Sequence, residues 1–271
     1  MEADLQRRVQ RYGWDKAVTH YENFWQAQLK PSQDKMLEMA ALQEGETLID
    51  IACGTGLVTF PAAEKLGPSG FVLATDISDG MINKGRTLAE EKKFHNIRFE
   101  RMDAEDLAVP DNEYDVALCA LGLMYFPDPV KALKEMYRVL KPGGRAAAAV
   151  WGQRNHCGWS AVFEIVDKRV HSEVCPMFFN LGNADMLKRS FEAAGFSHII
   201  FERLNTHLMY ESDGEACGAA FAGGPVALAY HRFSEETKKE AHGEYLDSIR
   251  QYKQEHGYAV PGEFVIAVGF K

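Results

Sequence analysis

The sequence predicts an α/β fold: a Rossmann-like, mostly parallel sheet with helices on both faces. Two observations carry this prediction. Short apolar runs alternate with amphipathic stretches between Thr47 and Trp151, which is the order that builds parallel strands joined by helices. The predicted strands are continuously apolar, as expected for strands buried on both faces. With 271 residues, 46% of them hydrophobic, the chain is long enough for one large domain.

The amino-terminal segment predicts an amphipathic helix. Helical spacing places five side chains on one aromatic-rich face, namely Trp14, Ala17, Val18, Tyr21 and Trp25. Pro31 is expected to end this helix, because proline lacks a backbone N–H and clashes with the preceding turn. A second helix is then expected over 34–42, before Gly45.

Five strands and three helices are expected next. The strands are predicted at 47–52, 71–76, 97–102, 114–120 and 145–151, and the helices at 57–66, 80–92 and 129–140. The segment 141–144, Lys-Pro-Gly-Gly, is expected to close the last of these helices, because proline cannot continue it and glycine can adopt the left-handed cap.

The alternation of apolar runs and amphipathic stretches becomes less regular after Trp151. A helix is expected over 183–194, a long strand over 199–210, helical stretches over 213–230 and 235–253, and a last strand over 257–271. We therefore expect a single domain, residues 1–271. Its parts would be a helical cap (1–44), a ligand-binding core (45–152) and a substrate-side half (153–271) with a lid-like insertion (211–256).

Composition narrows the function. The net charge of −9 argues against general nucleic-acid binding, which needs clustered basic side chains. The amino terminus has no apolar signal region, and no run approaches the roughly 18 apolar residues that span a bilayer. The five cysteines are scattered without metal-ligand spacing. These features predict a cytoplasmic protein with no metal and no membrane span, and leave its oligomeric state open.

A glycine-rich loop follows the first predicted strand. The segment 50–56, Asp-Ile-Ala-Cys-Gly-Thr-Gly, lets the backbone approach a ligand closely. Asp76 lies 20 residues after Gly56, at the end of the next strand, where a carboxylate can accept hydrogen bonds from both hydroxyls of a ribose. A dinucleotide fingerprint would have a third glycine at position 59, which is Thr59 here. The loop therefore favours a ligand with a carboxylate over one with a pyrophosphate.

At this point the chain resembles the class I S-adenosylmethionine-dependent methyltransferases. The segments LIDIACGTG, ATDIS, RMDAEDL and ALKEMYRVLKPGGR match that family's motifs in order, from Leu48 to the end of the fifth predicted strand. The last segment is similar to the ubiquinone/menaquinone C-methyltransferases, although the stretch after the fourth strand lacks their polar Arg-Asn pair. The resemblance implies seven strands with the last one antiparallel, and S-adenosylmethionine as donor with S-adenosylhomocysteine as product.

The resemblance also implies a donor site. Its residues would be Asp50, Ala52, Gly54, Thr55, Gly56, Asp76, Ile77, Met81, Asp103, Ala104, Ala120 and Leu121. Asp50 and Gly54 would lie near the methionine part, Asp76 would bind the ribose, and Asp103 would accept from the adenine amino group. Asp50 could instead brace the loop and Asp76 could cap a helix, while Glu105 and Asp106 lie close to Asp103 and could replace it.

No sequence signature identifies a catalytic base, and methyl transfer does not require one. Tyr21 and Tyr125 are the catalytic candidates, with helix or loop packing as the alternative for both. Any of four histidines could act as a general base: His156, His171, His207 and His231. The apolar segment 221–230 could line an acceptor pocket or form a turn between helices.

The leading hypothesis is methyl transfer to a small, apolar or aromatic acceptor. The alternatives are a nicotinamide-dependent oxidoreductase and a non-catalytic module that binds S-adenosylmethionine. The sequence does not distinguish oxygen, nitrogen, carbon and sulfur acceptors.

Overall fold

A computed structural model describes residues 2–170 and 177–271 of the chain. Its centre is a seven-stranded sheet in the order β3-β2-β1-β4-β5-β7-β6. The strands are β1 (Thr47–Ile51), β2 (Phe71–Asp76), β3 (Ile97–Arg101), β4 (Tyr114–Ala120), β5 (Leu140–Trp151), β6 (Ser197–Tyr210) and β7 (Tyr258–Phe270). Strands β1 to β5 pair in parallel, whereas β7 is antiparallel to both of its neighbours. The predicted fold, with its antiparallel last strand, is confirmed.

Helices flank this sheet. They are α1 (Ala3–Ala40), α2 (Thr59–Leu66), α3 (Asp79–Glu91), α4 (Pro129–Val139), α5 (Ala161–Asp167), α6 (Met186–Ala194), α7 (Asp213–Cys217), α8 (Ala227–Tyr230) and α9 (Glu235–Ile249). The central strands are buried over most of their length, including Leu48, Val72 and Leu118. Four consecutive alanines of β5, 146–149, are also fully buried, and their small side chains let α1 pack closely against this strand. No described helix combines the length and the apolar character needed to cross a membrane.

The prediction that Pro31 ends the first helix was wrong. One helix, α1, runs from Ala3 to Ala40 with Pro31 inside it. The buried face of α1 continues past the proline, from Trp25 and Leu29 to Met36 and beyond, while Pro31 itself is exposed. Packing of this continuous face against the core outweighs the proline penalty of about 3 kcal/mol.

Two other predicted boundaries differ. The segment 141–144 belongs to β5, which begins at Leu140 with a register irregularity beside β4. Hydrogen bonds between Lys271 and both Gly143 and Gly144 hold this segment beside the last strand. The helix predicted over 213–230 is divided into α7, a π-helical turn at Gly218–Ala222, and α8. Gly223, Gly224 and Pro225 separate the last two, because glycine and proline are the weakest helix formers. The division of the chain into cap, core and substrate-side half stays a prediction.

Candidate functional site

A cleft lies where the parallel strands end. Residues at or just after the carboxyl ends of all five parallel strands line it, and α1 crosses it with side chains from Arg7 to Leu29. Ligands of open α/β sheets bind at this edge, because the loops after neighbouring parallel strands converge there. The cleft is therefore the candidate site.

The glycine loop forms one wall of the cleft. Gly54 and Gly56 have positive φ angles of 56° and 103°, in the left-handed region that favours glycine. A Cβ atom on Gly56 would also lie 2.7 Å from the ring of Phe60. Ala52 and Leu121, which follow the neighbouring strands β1 and β4, have positive φ angles of 55° and 62°. Such backbone strain in non-glycine residues is common at ligand sites.

Asp76 is fixed at the end of β2 by two backbone donors. The Gly54 N–H donates to Oδ2 and the Ser78 N–H to Oδ1, both at 2.9 Å. Burial raises the pKa of Asp76 to about 6, against the opposing effect of these hydrogen bonds. Each carboxylate oxygen keeps a free lone pair, so the group can still accept two hydroxyl hydrogen bonds.

Asp50 and Thr55 are buried residues of the glycine loop with unsatisfied polar atoms. The Thr59 hydroxyl donates to Asp50 Oδ2 at 2.6 Å, whereas Asp50 Oδ1 and Thr55 Oγ1 are buried without a hydrogen-bond partner. Burial raises the pKa of Asp50 to about 7. Thr59, which occupies the position of the third glycine in a dinucleotide fingerprint, is thus a hydrogen-bond partner of Asp50. Unsatisfied buried acceptors beside a cleft fit a ligand with donor groups, such as an ammonium.

The other residues of the predicted donor site converge on the same cleft. Its walls include Ala52, Gly54, Asp76, Ile77, Met81, Asp103, Ala104, Ala120 and Leu121. Asp50, Thr55 and Gly56 belong to the same loop but are not among the lining residues. The Asp103 carboxylate is engaged by α1, since its Oδ2 lies 2.8 Å from Arg7 Nε. The donor-binding role of all these residues stays a prediction.

The opposite half of the cleft is aromatic. All four tryptophans of the chain line it: Trp14 and Trp25 come from α1, Trp151 ends β5, and Trp159 precedes α5. The Trp151 and Trp159 rings are 4.8 Å apart between centroids, and each lies about 6 Å from Trp25. The indole N–H groups of Trp25 and Trp159 are buried without a hydrogen-bond partner.

Trp151 and Trp159 are lining residues that the sequence did not identify. A tryptophan at a strand end has the same local pattern as a core residue, and no motif marked either position. The segment 221–230 contributes Gly224 and Pro225 to this wall. Among the residues that the structure describes, the charged ones lining the cleft are Arg7, Asp76 and Asp103, all in the half predicted to bind the donor.

The two catalytic candidates, Tyr21 and Tyr125, flank Trp14. Their ring centroids lie 5.7 and 5.3 Å from the Trp14 ring, both edge-on. Tyr21 also faces the glycine loop, because a Cβ atom on Gly54 would lie 3.6 Å from its ring. Burial, reinforced by the Asp76 carboxylate, raises the pKa of Tyr21 above its usual range. The Tyr21 hydroxyl can therefore donate a hydrogen bond but does not act as a base near neutral pH.

The histidine candidates do not reach the cleft within the described residues. His156 Nδ1 lies 2.9 Å from Glu263 Oε1. The other oxygen of the same carboxylate, Oε2, accepts a hydrogen bond from Arg203. His207 lies on β6 and His231 follows α8. His171 lies outside the described residues. No group of three or more potential metal ligands occurs in residues 2–170 and 177–271.

Comparisons with known proteins agree with this geometry. A family described as a methyltransferase domain matches residues 42–173. A demethylmenaquinone methyltransferase of Listeria welshimeri is 38% identical over 127 residues, which cover 47% of this chain and 54% of that protein. The chain thus matches about half the length of this relative. The corresponding protein of Staphylococcus carnosus is 32% identical over 186 residues, covering 64% of this chain and 76% of the relative.

A solved structure extends the likeness to the whole fold. The phosphoethanolamine N-methyltransferase 2 of Haemonchus contortus, solved with S-adenosylhomocysteine, superposes with a TM-score of 0.64 at 17% identity, covering 99% of this chain and 59% of that one. Together with the glycine loop, the fixed Asp76 carboxylate and the sheet order, the sequence relatives show that the chain belongs to the class I S-adenosylmethionine-dependent methyltransferases.

Proposed function

We propose that this chain transfers a methyl group from S-adenosylmethionine to a small, uncharged aromatic acceptor. The observation that carries the proposal is that one cleft joins the glycine loop and Asp76 to a wall containing all four tryptophans. Donor and acceptor would therefore meet inside a single enclosed space. Such positioning is the main contribution that a protein makes to this reaction.

The polar half of the cleft suits the donor. Asp76 offers free lone pairs for the ribose hydroxyls, and Gly54 brings the backbone of the glycine loop to the cleft surface beside it. When bound, S-adenosylmethionine supplies an activated methyl group on its sulfonium. The chain's own residues hold the donor, exclude water and orient the acceptor.

The aromatic half suits a flat, uncharged ring. Indole and phenol rings stack on such a ring, while the described residues of this half offer no charged side chain to a charged acceptor. The buried N–H groups of Trp25 and Trp159 add a further requirement. A buried donor without a partner costs about 1–3 kcal/mol, so an acceptor with a carbonyl or hydroxyl oxygen at this end would satisfy them.

A ring of the naphthoquinone type meets these requirements. The relatives from Listeria and Staphylococcus are named for demethylmenaquinone, and the aromatic wall supports the same class of acceptor here. We propose that Tyr21 and Tyr125 orient the ring at the junction of the two halves. Four free, buried cysteines among the described residues suit the reducing cytoplasm.

Calorimetry followed by a transfer assay tests the proposal. We expect S-adenosylhomocysteine to bind with micromolar or tighter affinity and NADH not to bind. We then expect mass spectrometry to detect one added methyl group on 1,4-naphthohydroquinone, and a much slower reaction with 1,4-dihydroxy-2-naphthoate, which adds a carboxylate. Binding of NADH alone would support the oxidoreductase alternative. Donor binding without transfer to any of a broad set of aromatic acceptors would support the non-catalytic module.

A further inference from the structure

Arg7, in the first turns of α1, connects this helix to the loop after β3. Its Nε lies 2.8 Å from Asp103 Oδ2, its Nη2 donates to Glu105, and its Nη1 donates to Asp4 at 3.1 Å. Arg7 lines the cleft beside Asp103. Its guanidinium group therefore bridges α1 and the segment expected to read the adenine.

The Asp103 carboxylate is contacted on both sides. Its Oδ1 accepts from the Glu105 backbone N–H at 2.9 Å, and its Oδ2 forms an ion pair with Arg7 Nε at 2.8 Å without hydrogen-bond geometry. The loop thus fixes one oxygen by a hydrogen bond and the helix places a positive charge beside the other, while each oxygen keeps a lone pair for another donor.

Glu105 makes this arrangement more than a surface ion pair. Its side chain is only 2% exposed, and its Oε1 accepts from the Asp128 N–H, at the start of α4, at 2.8 Å. An exposed ion pair contributes little, but a buried carboxylate without its cation is strongly destabilising. The position of Arg7 over the cleft is therefore fixed by a partner that does not itself line it.

We propose that Arg7 is a positioning residue for the donor's base: it holds the Asp103 carboxylate in the orientation that accepts from the adenine amino group. The proposal rests on the donor site proposed above. Arg7 lies outside the family motifs, 96 positions before Asp103. According to the proposal, this side chain enables the site to distinguish an amino group from an oxygen on the purine.

The chemistry of that discrimination supplies a specific measurement. S-inosylhomocysteine differs from S-adenosylhomocysteine by an oxo group in place of the amino group, so it presents an acceptor where Asp103 requires a donor. Sites that hydrogen-bond one group reject analogues that cannot pair, because the buried partner is left unsatisfied. A carboxylate free to rotate away would reject the oxo analogue less strongly.

The experiment is calorimetry of both ligands with the wild type, Arg7→Ala and the matched control Arg8→Ala. Arg8 is the next residue, is exposed and does not line the cleft, so its removal changes net charge equally. We expect Arg7→Ala to weaken S-adenosylhomocysteine binding about tenfold and to reduce the amino-over-oxo preference by a similar factor. Arg8→Ala should change neither value more than about twofold.

A second variant separates positioning from folding. Arg7→Ala leaves the buried Glu105 carboxylate without its cation, so the pair Arg7→Ala/Glu105→Gln removes that charge while still freeing Asp103. We expect the same loss of preference in the double variant, with its thermal midpoint restored toward that of the wild type. If the preference for the amino over the oxo ligand persists while the affinities for both fall equally, Arg7 only anchors α1 to the loop after β3 and the proposal is wrong. If the wild type binds neither ligand, the donor site itself is refuted.

Discussion

The two halves of the cleft are built in different ways. The donor half comes from four short segments, 51–54, 75–81, 102–104 and 120–121, each at or just after the carboxyl end of a parallel strand. The acceptor half comes from α1, the loop after β4, the end of β5, the start of α5 and the turn before α8. Backbone hydrogen bonds fix polar groups in the first half, whereas packing of large rings shapes the second.

This difference separates two kinds of recognition. A carboxylate such as Asp76, held by two backbone donors, is expected to recognise one arrangement of hydroxyl groups and to tolerate little change. A wall of tryptophans is expected to accept flat rings of suitable size, with the buried N–H groups of Trp25 and Trp159 available to a polar group on the ring. Substitutions in the two halves should therefore affect different ligands.

Asp76→Asn should have the largest effect, because the amide has one acceptor oxygen in place of two. One end of the amide would also place an N–H beside the N–H of Gly54 or Ser78, both of which donate to Asp76. Since hydrogen bonds to a charged group contribute about 1.5–3 kcal/mol each, we expect S-adenosylhomocysteine to bind about 100-fold more weakly by calorimetry.

Asp106→Asn is the control for this change, because Asp106 is exposed and does not line the cleft. The affinity of Asp106→Asn for S-adenosylhomocysteine should match that of the wild type. Asp76→Asn should also leave binding of an acceptor to the aromatic half within about threefold when measured without donor. An unchanged donor affinity in folded Asp76→Asn protein would remove Asp76 from the donor site.

Trp25→Phe and Trp159→Phe should affect the acceptor and spare the donor. Phenylalanine keeps an aromatic face but removes the N–H. We expect each variant to bind 1-tetralone about tenfold more weakly, with tetralin, which lacks the carbonyl, bound equally by all forms. Quenching of the remaining cleft tryptophans measures both affinities. If tetralone and tetralin bind equally to the wild type, no oxygen is recognised at this end.

The sequence predicted the donor half far better than the acceptor half. The donor residues are close neighbours in sequence, and the expected strands 71–76 and 114–120 have the observed bounds. Residues that follow parallel strands must meet at one edge of the sheet. Local pattern and topology together were therefore sufficient to bring Asp76, Asp103 and Ala120 to one cleft.

The acceptor half depends on contacts between distant segments, which no local pattern contains. Trp25 and Trp159 meet only because α1 crosses the cleft and the segment after β5 returns to it. The same reason explains Pro31, where the local rule for helix ends was outweighed by a buried face that only tertiary packing reveals. The pairing of Arg7 with Asp103 likewise depends on the placement of α1.

Acid should remove the free-energy cost of the buried Asp50 and Asp76 charges and weaken the donor site. Burial raises the pKa of Asp50 to about 7 and of Asp76 to about 6, above the usual 3.9 of the unfolded chain. The native state therefore binds more protons than the unfolded state between roughly pH 4 and 7, so these groups destabilise the fold as pH rises through that range. Donor binding has the opposite dependence, because the ribose hydroxyls pair with the ionised carboxylate.

Two measurements on the same samples test these opposite pH dependences of stability and donor affinity. Between pH 7.5 and 5.5 we expect S-adenosylhomocysteine affinity to fall about fivefold while the ligand-free thermal midpoint rises. In Asp76→Asn, the affinity should lose most of this pH dependence and the rise in midpoint should be smaller. An affinity that is flat over this range in the wild type would show that neither carboxyl titrates there.

Tyr21→Phe should have the smallest effect, because Tyr21 lies where the two halves meet and its raised pKa keeps the hydroxyl protonated. Its ring packs edge-on against Trp14 and faces Gly54, and phenylalanine preserves both contacts. We expect kcat to fall about threefold with the KM for S-adenosylmethionine unchanged, whereas Tyr21→Leu, which removes the ring, should lower kcat further and raise that KM. A loss of kcat above about 100-fold in Tyr21→Phe, with the thermal midpoint preserved, would instead make the hydroxyl a direct participant in the transfer.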